Sequence, residues 1–165
     1  MMNSVRDGKI ERLKGVSTIA DGIAVKLPGD LTFELVSKYV DEIATVTEDE
    51  IASAILALVE KQKMIAEGAG AASVAAIMCR KFDTSGKVVA VISGGNIDVT
   101  SLSRVIERGL MNSGRISTLL IELADKPGQL KDVSRILADC GGNVTGVHYE
   151  RGATAAVNGC FLRID

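Results

Sequence analysis

The sequence predicts an α/β lobe followed by a smaller antiparallel βαββ unit. Three observations carry this. The run Lys87-Val88-Val89-Ala90-Val91-Ile92 is almost unbroken apolar and leads through Ser93-Gly94-Gly95-Asn96 into a helical pattern, as in a parallel strand covered on both faces. Ile51, Ala54, Ile55, Leu58 and Val59 recur at helical spacing behind a strong helix-start signal at residues 47–50. At Met111-Asn112-Ser113-Gly114 this grammar stops, and a strand, turn, helix, strand, strand order replaces it. Two domains are therefore expected, 1–112 and 113–165.

Composition sets limits on both. The 165 residues carry 19 Lys and Arg against 21 Asp and Glu, a net charge of −2, with 47% apolar residues. That excludes a basic nucleic-acid surface, a membrane span and a disordered tail, and predicts a soluble protein. A chain of this length buries about 70% of its unfolded surface, enough for one ordinary core or two small ones. With two Tyr, three Phe and no Trp beside 17 Gly, the core has to be built from aliphatic residues and closely packed Ala. Cys79, Cys140 and Cys160 are odd in number, widely spaced and without a CxxC, which suits a reducing compartment. The start MMNSVRDGKIER has no apolar h-region, so a cytoplasmic location is expected.

Residues 1–15 are polar and read as a ragged lead-in. The dense run at residues 18–25 is followed by Lys26-Leu27-Pro28-Gly29, where Pro sets φ and Gly permits a turn. A helix over about 32–39 follows, then a short strand at 42–46. Thr47-Glu48-Asp49-Glu50 is a capping box opening a helix over about 48–64, with Glu60, Lys61 and Lys63 left in water. After Glu67 the stretch GAGAASVAAIMCRKF predicts a small-residue helix with Gly68 and Gly70 at its start. Residues 87–92 are read as a buried strand, and a third helix over about 99–110 turns Leu102, Val105, Ile106 and Leu110 inward. In the second domain a strand at 115–123 turns through Asp125-Lys126-Pro127-Gly128 into a helix at 129–140. Its apolar stripe is Leu130, Val133, Ile136 and Leu137, and Gly141-Gly142 supplies the stop. Strands at 143–149 and about 154–164 complete the first part of a ferredoxin-like unit.

Four places carry candidate chemistry. Ser93-Gly94-Gly95-Asn96 sets a hydroxyl, bare backbone amides and a side-chain amide beyond the C-terminal end of a predicted strand, where open α/β sheets bind ligands; a tight structural turn accounts for the pattern equally well. Glu67 either faces a cleft or favours the helix it precedes through the helix dipole. Asp21, in Ala20-Asp21-Gly22, either lines a pocket or bonds its own turn. Asp125, Gly128, Leu130 and Asn143 gather at one end of the small domain, as a pocket for an amino-acid carboxylate or as a plain turn feeding a helix. His148 has no Cys or carboxylate at metal-ligand spacing and reads as a core or interface residue, so no metal is expected. Cys79 and Cys140 read as small hydrophobes.

Ser17-Thr18-Ile19-Ala20-Asp21-Gly22-Ile23-Ala24-Val25, Glu67-Gly68-Ala69-Gly70-Ala71, Ser93-Gly94-Gly95-Asn96-Ile97-Asp98 and Asp125-Lys126-Pro127-Gly128-Gln129-Leu130 form, in this order and spacing, a series that resembles the C-terminal part of threonine dehydratase, also called threonine ammonia-lyase. The resemblance spans residues 8–165, and its last stretch is similar to the start of an ACT regulatory domain. It implies a partial tryptophan-synthase β-like lobe, fold type II, followed by a truncated ferredoxin-like ACT unit. It also implies pyridoxal 5'-phosphate as cofactor and β-elimination of L-threonine to 2-oxobutanoate and ammonia.

By the same resemblance Ser93 hydrogen-bonds the pyridine nitrogen, Gly94, Gly95 and Asn96 present it, Asp21 and Gly22 line the cofactor, and Glu67 lies beside the ring. A neutral hydroxyl leaves the ring nitrogen unprotonated, a weaker electron sink than a carboxylate partner would give. The Schiff-base lysine of the family, in a Ser-x-Lys-x-Arg setting, and the glycine-rich phosphate loop are not in this sequence, and Lys9, Lys14 and Lys26 lack those surroundings. No catalytic residue is therefore assigned, and the chain is expected to be part of a longer enzyme and inactive alone. The implied partners are a small amino-acid substrate, isoleucine or valine as effector at Asp125, Gly128, Leu130 and Asn143, and further copies of the chain; nucleic acid and membrane are not among them. Two alternatives stay open: a stand-alone ACT-type amino-acid sensor, and part of a related L-serine dehydratase.

Overall fold

Thr47 opens the helix around which the first part of the molecule is organised. Its hydroxyl accepts from the Glu50 amide at 3.2 Å, and the Glu50 carboxylate accepts from the Thr47 amide at 2.8 Å, the capping box predicted from sequence. The helix so started, α3 (Glu48–Ala57), runs into a π-helical turn at Leu58–Gln62 that Lys63 closes with φ at 56°. The computed structural model describes residues 1–151 and 159–165, which form two units, Met1–Ser113 and Gly114–Asp165.

In the first unit α1 (Met2–Arg6) and α2 (Asp30–Tyr39) precede α3, and α4 (Gly68–Met78) and α5 (Val99–Asn112) both pack against α3. The core is aliphatic and small, as the composition requires. Ala52, Ala54, Ile55, Ala71 and Ala75 are fully buried, and Val105 joins them from α5. A Cβ on Gly109 would lie 3.0 Å from the Ala52 carbonyl oxygen, so the α3–α5 crossing depends on that glycine. Of the residues expected to turn inward on α5, Val105 is buried, while Leu102, Ile106 and Leu110 are half-buried.

Charged contacts tie the helices at their rims. Arg108 Nε lies 2.6 Å from Asp49 Oδ1, and Asn112 donates to the same oxygen at 3.2 Å. Lys81 Nζ lies 2.8 Å from Glu50 Oε1. The Arg108 hydrogen bond, then that of Asn112, holds the Asp49 carboxyl below its ordinary range, and the Lys81 hydrogen bond, then the Thr47 amide, does so for Glu50. Both groups bind a proton more weakly folded than unfolded. Their stabilisation is therefore complete above the unfolded values and is lost as pH falls through the lowered ones. Thermal melts should show a falling midpoint over roughly pH 5 to 3, with a shallower fall in Asp49→Asn. Equal acid slopes for the two proteins would contradict this assignment.

Three expectations need correction here. Residues 2–6 are helical rather than ragged, because Ser4 is buried and its hydroxyl accepts from the Glu11 amide at 3.0 Å, which pins the segment. Residues 42–46 form no strand. Nor is the run at 87–92 a buried strand: Val89 is 87% and Val91 70% exposed, and Ser73 holds it by donating to the Val91 carbonyl at 2.7 Å. Apolar β-branched sequence fits a pleated surface, but a strand also needs a neighbouring strand to exchange ladder bonds, and among the described residues this run pairs with none. Among the described residues the expected parallel sheet is thus not formed.

The second unit holds β1 (Leu119–Ala124), α6 (Gln129–Asp139), β2 (Val147–Arg151) and β3 (Gly159–Ile164). Its sheet has the order β1-β3-β2 with both pairings antiparallel, and Leu162 stands opposite both Ile121 and Tyr149. Cys160, Leu162 and Ile164 are buried while Arg163 is exposed, the two-residue period of a strand with one covered face. The part of the expected last strand at 154–158 lies outside the described residues. β2 starts at Val147 rather than 143, since the Thr145 and Gly146 amides instead reach the Asp165 carbonyl at 2.8 and 3.2 Å. α6 ends in a Schellman motif: the Gly142 amide bonds the Leu137 carbonyl, the Gly141 amide bonds that of Ala138, and Gly141 takes φ +78°. Only Val133 and Leu137 of its predicted stripe are half-buried; Leu130 and Ile136 are exposed.

Candidate functional site

Two glycines at the start of α4 bring two distant loops together. A Cβ on Gly68 would overlap the Ile19 carbonyl, and a Cβ on Gly70 would overlap the Gly94 carbonyl. The loops at 17–22 and 93–96 therefore both rest on the first turn of α4. Glu67, which precedes that turn, joins them. Its amide donates to the Gly94 carbonyl at 3.1 Å, and its Oε2 accepts from the Asn96 amide at 3.1 Å. Its other oxygen occupies the place a Gly94 side chain would need and lies 3.6 Å from where a Gly22 Cβ would be. The carboxylate does not cap its own helix.

A cavity of about 330 Å³ adjoins this group, lined among others by Thr18, Asp21, Glu67, Asn96, Asp98 and Arg104. Asp21 meets both of its readings: it lines the cavity, and it accepts from the Gly22 amide at 2.8 Å. Asp98 caps α5 through the Ser101 amide at 2.9 Å, and Ser101 holds its carboxyl below the usual range. Ser93 is exposed, lies outside the lining of that cavity, and has a hydroxyl with no hydrogen-bond partner among the described residues. Gly95 allows close approach on the other side, where an added Cβ would stand 2.9 Å from the Ile65 carbonyl oxygen. A second, apolar cavity of about 420 Å³ is lined by Val16, Ala20, Ile23, Val46, Ile51 and Phe82 among others.

The structure thus unites Asp21, Gly22, Glu67, Gly94 and Asn96, with Ser93 beside them. Sequence reasoning missed Glu48. Its carboxylate accepts from the Thr18 hydroxyl at 2.5 Å and from the Ile19 amide at 2.9 Å, and nothing local in Thr47-Glu48-Asp49-Glu50 distinguishes it from its acidic neighbours.

In the second unit the Asp125 carboxylate accepts from the Tyr149 hydroxyl at 3.0 Å and pairs with Arg151 at 3.1 Å. The buried Cys160 thiol donates to the same hydroxyl at 2.9 Å. The Cys160 contact, reinforced by desolvation and by Asp125, pushes the Tyr149 hydroxyl up to about 12. Gly128, with φ +98°, has the conformation of the third position of a type II turn, the plain reading of that loop. Leu130 and Asn143 are exposed, and no hydrogen bond joins Asn143 to the Asp125 group among the described residues. Both cavities described above are lined wholly by the first unit. His148 is not a core residue: its side chain is exposed, 3.9 Å from Asp165. Cys79 and Cys140 are exposed as well, so of the three thiols only Cys160 packs as a hydrophobe. Among the described residues no helix is long and apolar enough to cross a membrane.

Comparison with known proteins bears on the first unit most directly. Residues 1–94 match the family model described as "Pyridoxal-phosphate dependent enzyme". The chain is 54% identical over 166 residues to an L-threonine ammonia-lyase of Thermotoga maritima, with 100% of the chain and 41% of that protein aligned. It is 46% identical over 149 residues to the L-threonine ammonia-lyase of Geobacter sulfurreducens, with 90% and 37% aligned. The chain accordingly spans about two fifths of the length of these relatives. Among solved structures, the processed form of threonine deaminase isoform 2 from Solanum lycopersicum superposes with a TM-score of 0.57 at 32% identity, over 64% of this chain and 32% of that one. The loops gathered at α4 are built of small residues that leave room for a flat ring, and the likeness is to a lobe of fold type II. The chain belongs to the pyridoxal-phosphate dependent enzyme family.

Proposed function

We propose that this chain carries the ring-nitrogen side of a pyridoxal-phosphate site in an L-threonine ammonia-lyase, which converts L-threonine to 2-oxobutanoate and ammonia. The observation that carries the reading is the convergence of Asp21-Gly22 and Gly94-Gly95-Asn96 on Glu67, with the unpartnered Ser93 hydroxyl alongside. When bound, the cofactor supplies the electron sink for carbanion chemistry at the substrate α-carbon. Ser93 would donate a hydrogen bond to the ring nitrogen, Gly94 and Gly95 would let backbone approach the flat ring, and Glu67 holds that loop in place. The reacting lysine and the phosphate-binding loop are assigned to chain other than these residues.

Residues 1–112 are assigned to the catalytic domain and 113–165 to the first part of an ACT-type regulatory unit. The β1-β3-β2 order and the single helix between β1 and β2 support the second assignment. There Asp125, Gly128, Leu130 and Asn143 are the residues proposed to meet an isoleucine or valine effector. A cytoplasmic location and association with further copies are part of the same reading, and the exposed Val89 and Val91 support the association.

Hydrogen exchange of the chain with and without pyridoxal phosphate tests the cofactor reading. We expect slower exchange at residues 93–96 while cofactor is present, a weaker effect in Ser93→Ala, and complete loss of cofactor on desalting. No ammonia should be released from threonine by the chain alone. Cofactor retained through desalting together with ammonia release would overturn the division of labour, and unchanged exchange at 93–96 would overturn the site.

A further inference from the structure

We infer that Glu48 is a positioning residue for the loop at 17–22, the strut that sets Asp21 at the 330 Å³ cavity and Gly22 against Glu67; this rests on reading that cavity as part of the cofactor site. Glu48 is the first residue of α3, and the capping box between Thr47 and Glu50 already immobilises that helix start. Its carboxylate is thus free to serve the loop alone. It takes the Thr18 hydroxyl on one oxygen and the Ile19 amide on the other, at 2.5 and 2.9 Å. The Thr18 oxygen in turn accepts from the Ala20 amide at 3.1 Å. One carboxylate therefore satisfies the Ile19 amide directly and fixes the hydroxyl that takes the Ala20 amide, in a loop in which Ala20 is buried and Ile19 half-buried.

Hydrogen bonds to a charged acceptor are roughly twice as strong as neutral ones, and a buried amide left unpaired is costly. On α4, Gly68 packs against the Ile19 carbonyl and the Ala20 amide. The loop is clamped between Glu48 and Gly68, and its next two residues are Asp21, which lines the cavity, and Gly22, which faces Glu67. Loss of Glu48 should loosen the loop without unwinding α3, because the helix keeps its own cap.

Residue-resolved hydrogen exchange on the full chain tests this with Glu48→Ala, Glu48→Gln and Thr18→Val. In Glu48→Ala the Ile19 and Ala20 amides should exchange at least about tenfold faster, while the amides of residues 52–56 in α3 stay within about twofold of the parent. Glu48→Gln keeps an oxygen for the Ile19 amide and should restore most of its protection. Thr18→Val should free Ala20 while leaving Ile19 protected, and it leaves the helix untouched should Glu48→Ala not fold. Equal acceleration throughout α3, no acceleration at Ile19 and Ala20, or a glutamine variant as loose as the alanine one would overturn the positioning role. Local loosening with no cofactor effect at residues 93–96 in the parent chain would instead sink the cofactor reading and leave the strut standing.

Discussion

Gly70→Ala is expected to be among the most damaging single substitutions in the first unit. The added methyl group would overlap the Gly94 carbonyl and stand 2.9 Å from the Gly94 amide, both backbone atoms that no rotamer change can move. Either α4 or the loop at 93–96 has to shift. Overpacking of this kind costs about 1–3 kcal/mol and at times more, and here the shift also parts the Gly94 carbonyl from the Glu67 amide. Gly68→Ala should behave alike, through the Ile19 carbonyl and the loop at 17–22. The control is Gly86→Ala, where the new methyl meets nothing within 4 Å. Denaturant melts should place both α4 variants well below the control, with faster amide exchange at 93–96 for Gly70→Ala and at 19–20 for Gly68→Ala. A Gly70→Ala protein as stable as the control, with the 93–96 amides still protected, would mean that loop and helix are not in contact.

Ile55→Ala should produce the other large effect. Ile55 is the largest fully buried side chain of the first unit, shares one buried cluster with Ala71 and Ala75 of α4 and Val105 of α5, and also lines the 330 Å³ cavity. Removing its outer carbons loses their transfer free energy and leaves a void in a core of small residues already in close contact. Such substitutions cost about 2–5 kcal/mol. A midpoint drop on the order of 10 °C follows for a unit of this size. Ile55→Val removes one carbon and should cost about 0.5–1.5 kcal/mol, whereas Leu31→Ala, at a residue 67% exposed, should be close to neutral. An Ile55→Ala midpoint within error of Leu31→Ala would show that the cluster around α3 is not the core.

The two predictions bear on different properties of one small-residue framework. Ile55 fills the space between the helices, and Gly68 and Gly70 leave room for the loops. A core of larger side chains would keep α4 away from the backbone at 19–20 and 94. The scarcity of aromatic residues is thus tied to the site as well as to packing.

Much of this was legible one residue at a time. The capping box at Thr47 and Glu50, the Schellman stop at Gly141-Gly142 and the starts of α4, α5 and α6 all rest on groups within a few residues of each other, where spacing along the chain is spacing in space. Residues 42–46 and 87–92 misled because a strand is a property of two segments. KVVAVI has the composition of a covered strand, yet its neighbour is a matter of tertiary arrangement. Glu67 was recognised as a candidate, but its partners are the Gly94 carbonyl and the Asn96 amide, 27 and 29 positions away.

By itself the sequence determined the helices from α2 onward, the capping box of α3 and the stop of α6, the change of pattern near residue 113 and the motifs that mark the family, since all of these follow from local spacing and residue type. Only the tertiary structure decided that Glu48 rather than its acidic neighbours reaches the loop at 17–22, that Glu67 turns away from its own helix to bond the loop at 93–96, and that Val88, Val89 and Val91 of the apolar run stay exposed. The physical reason is the same in each case. A hydrogen bond or a buried contact between residues some thirty positions apart depends on where packing puts the two backbones, and the glycines that permit that packing have no side chain to announce what they touch.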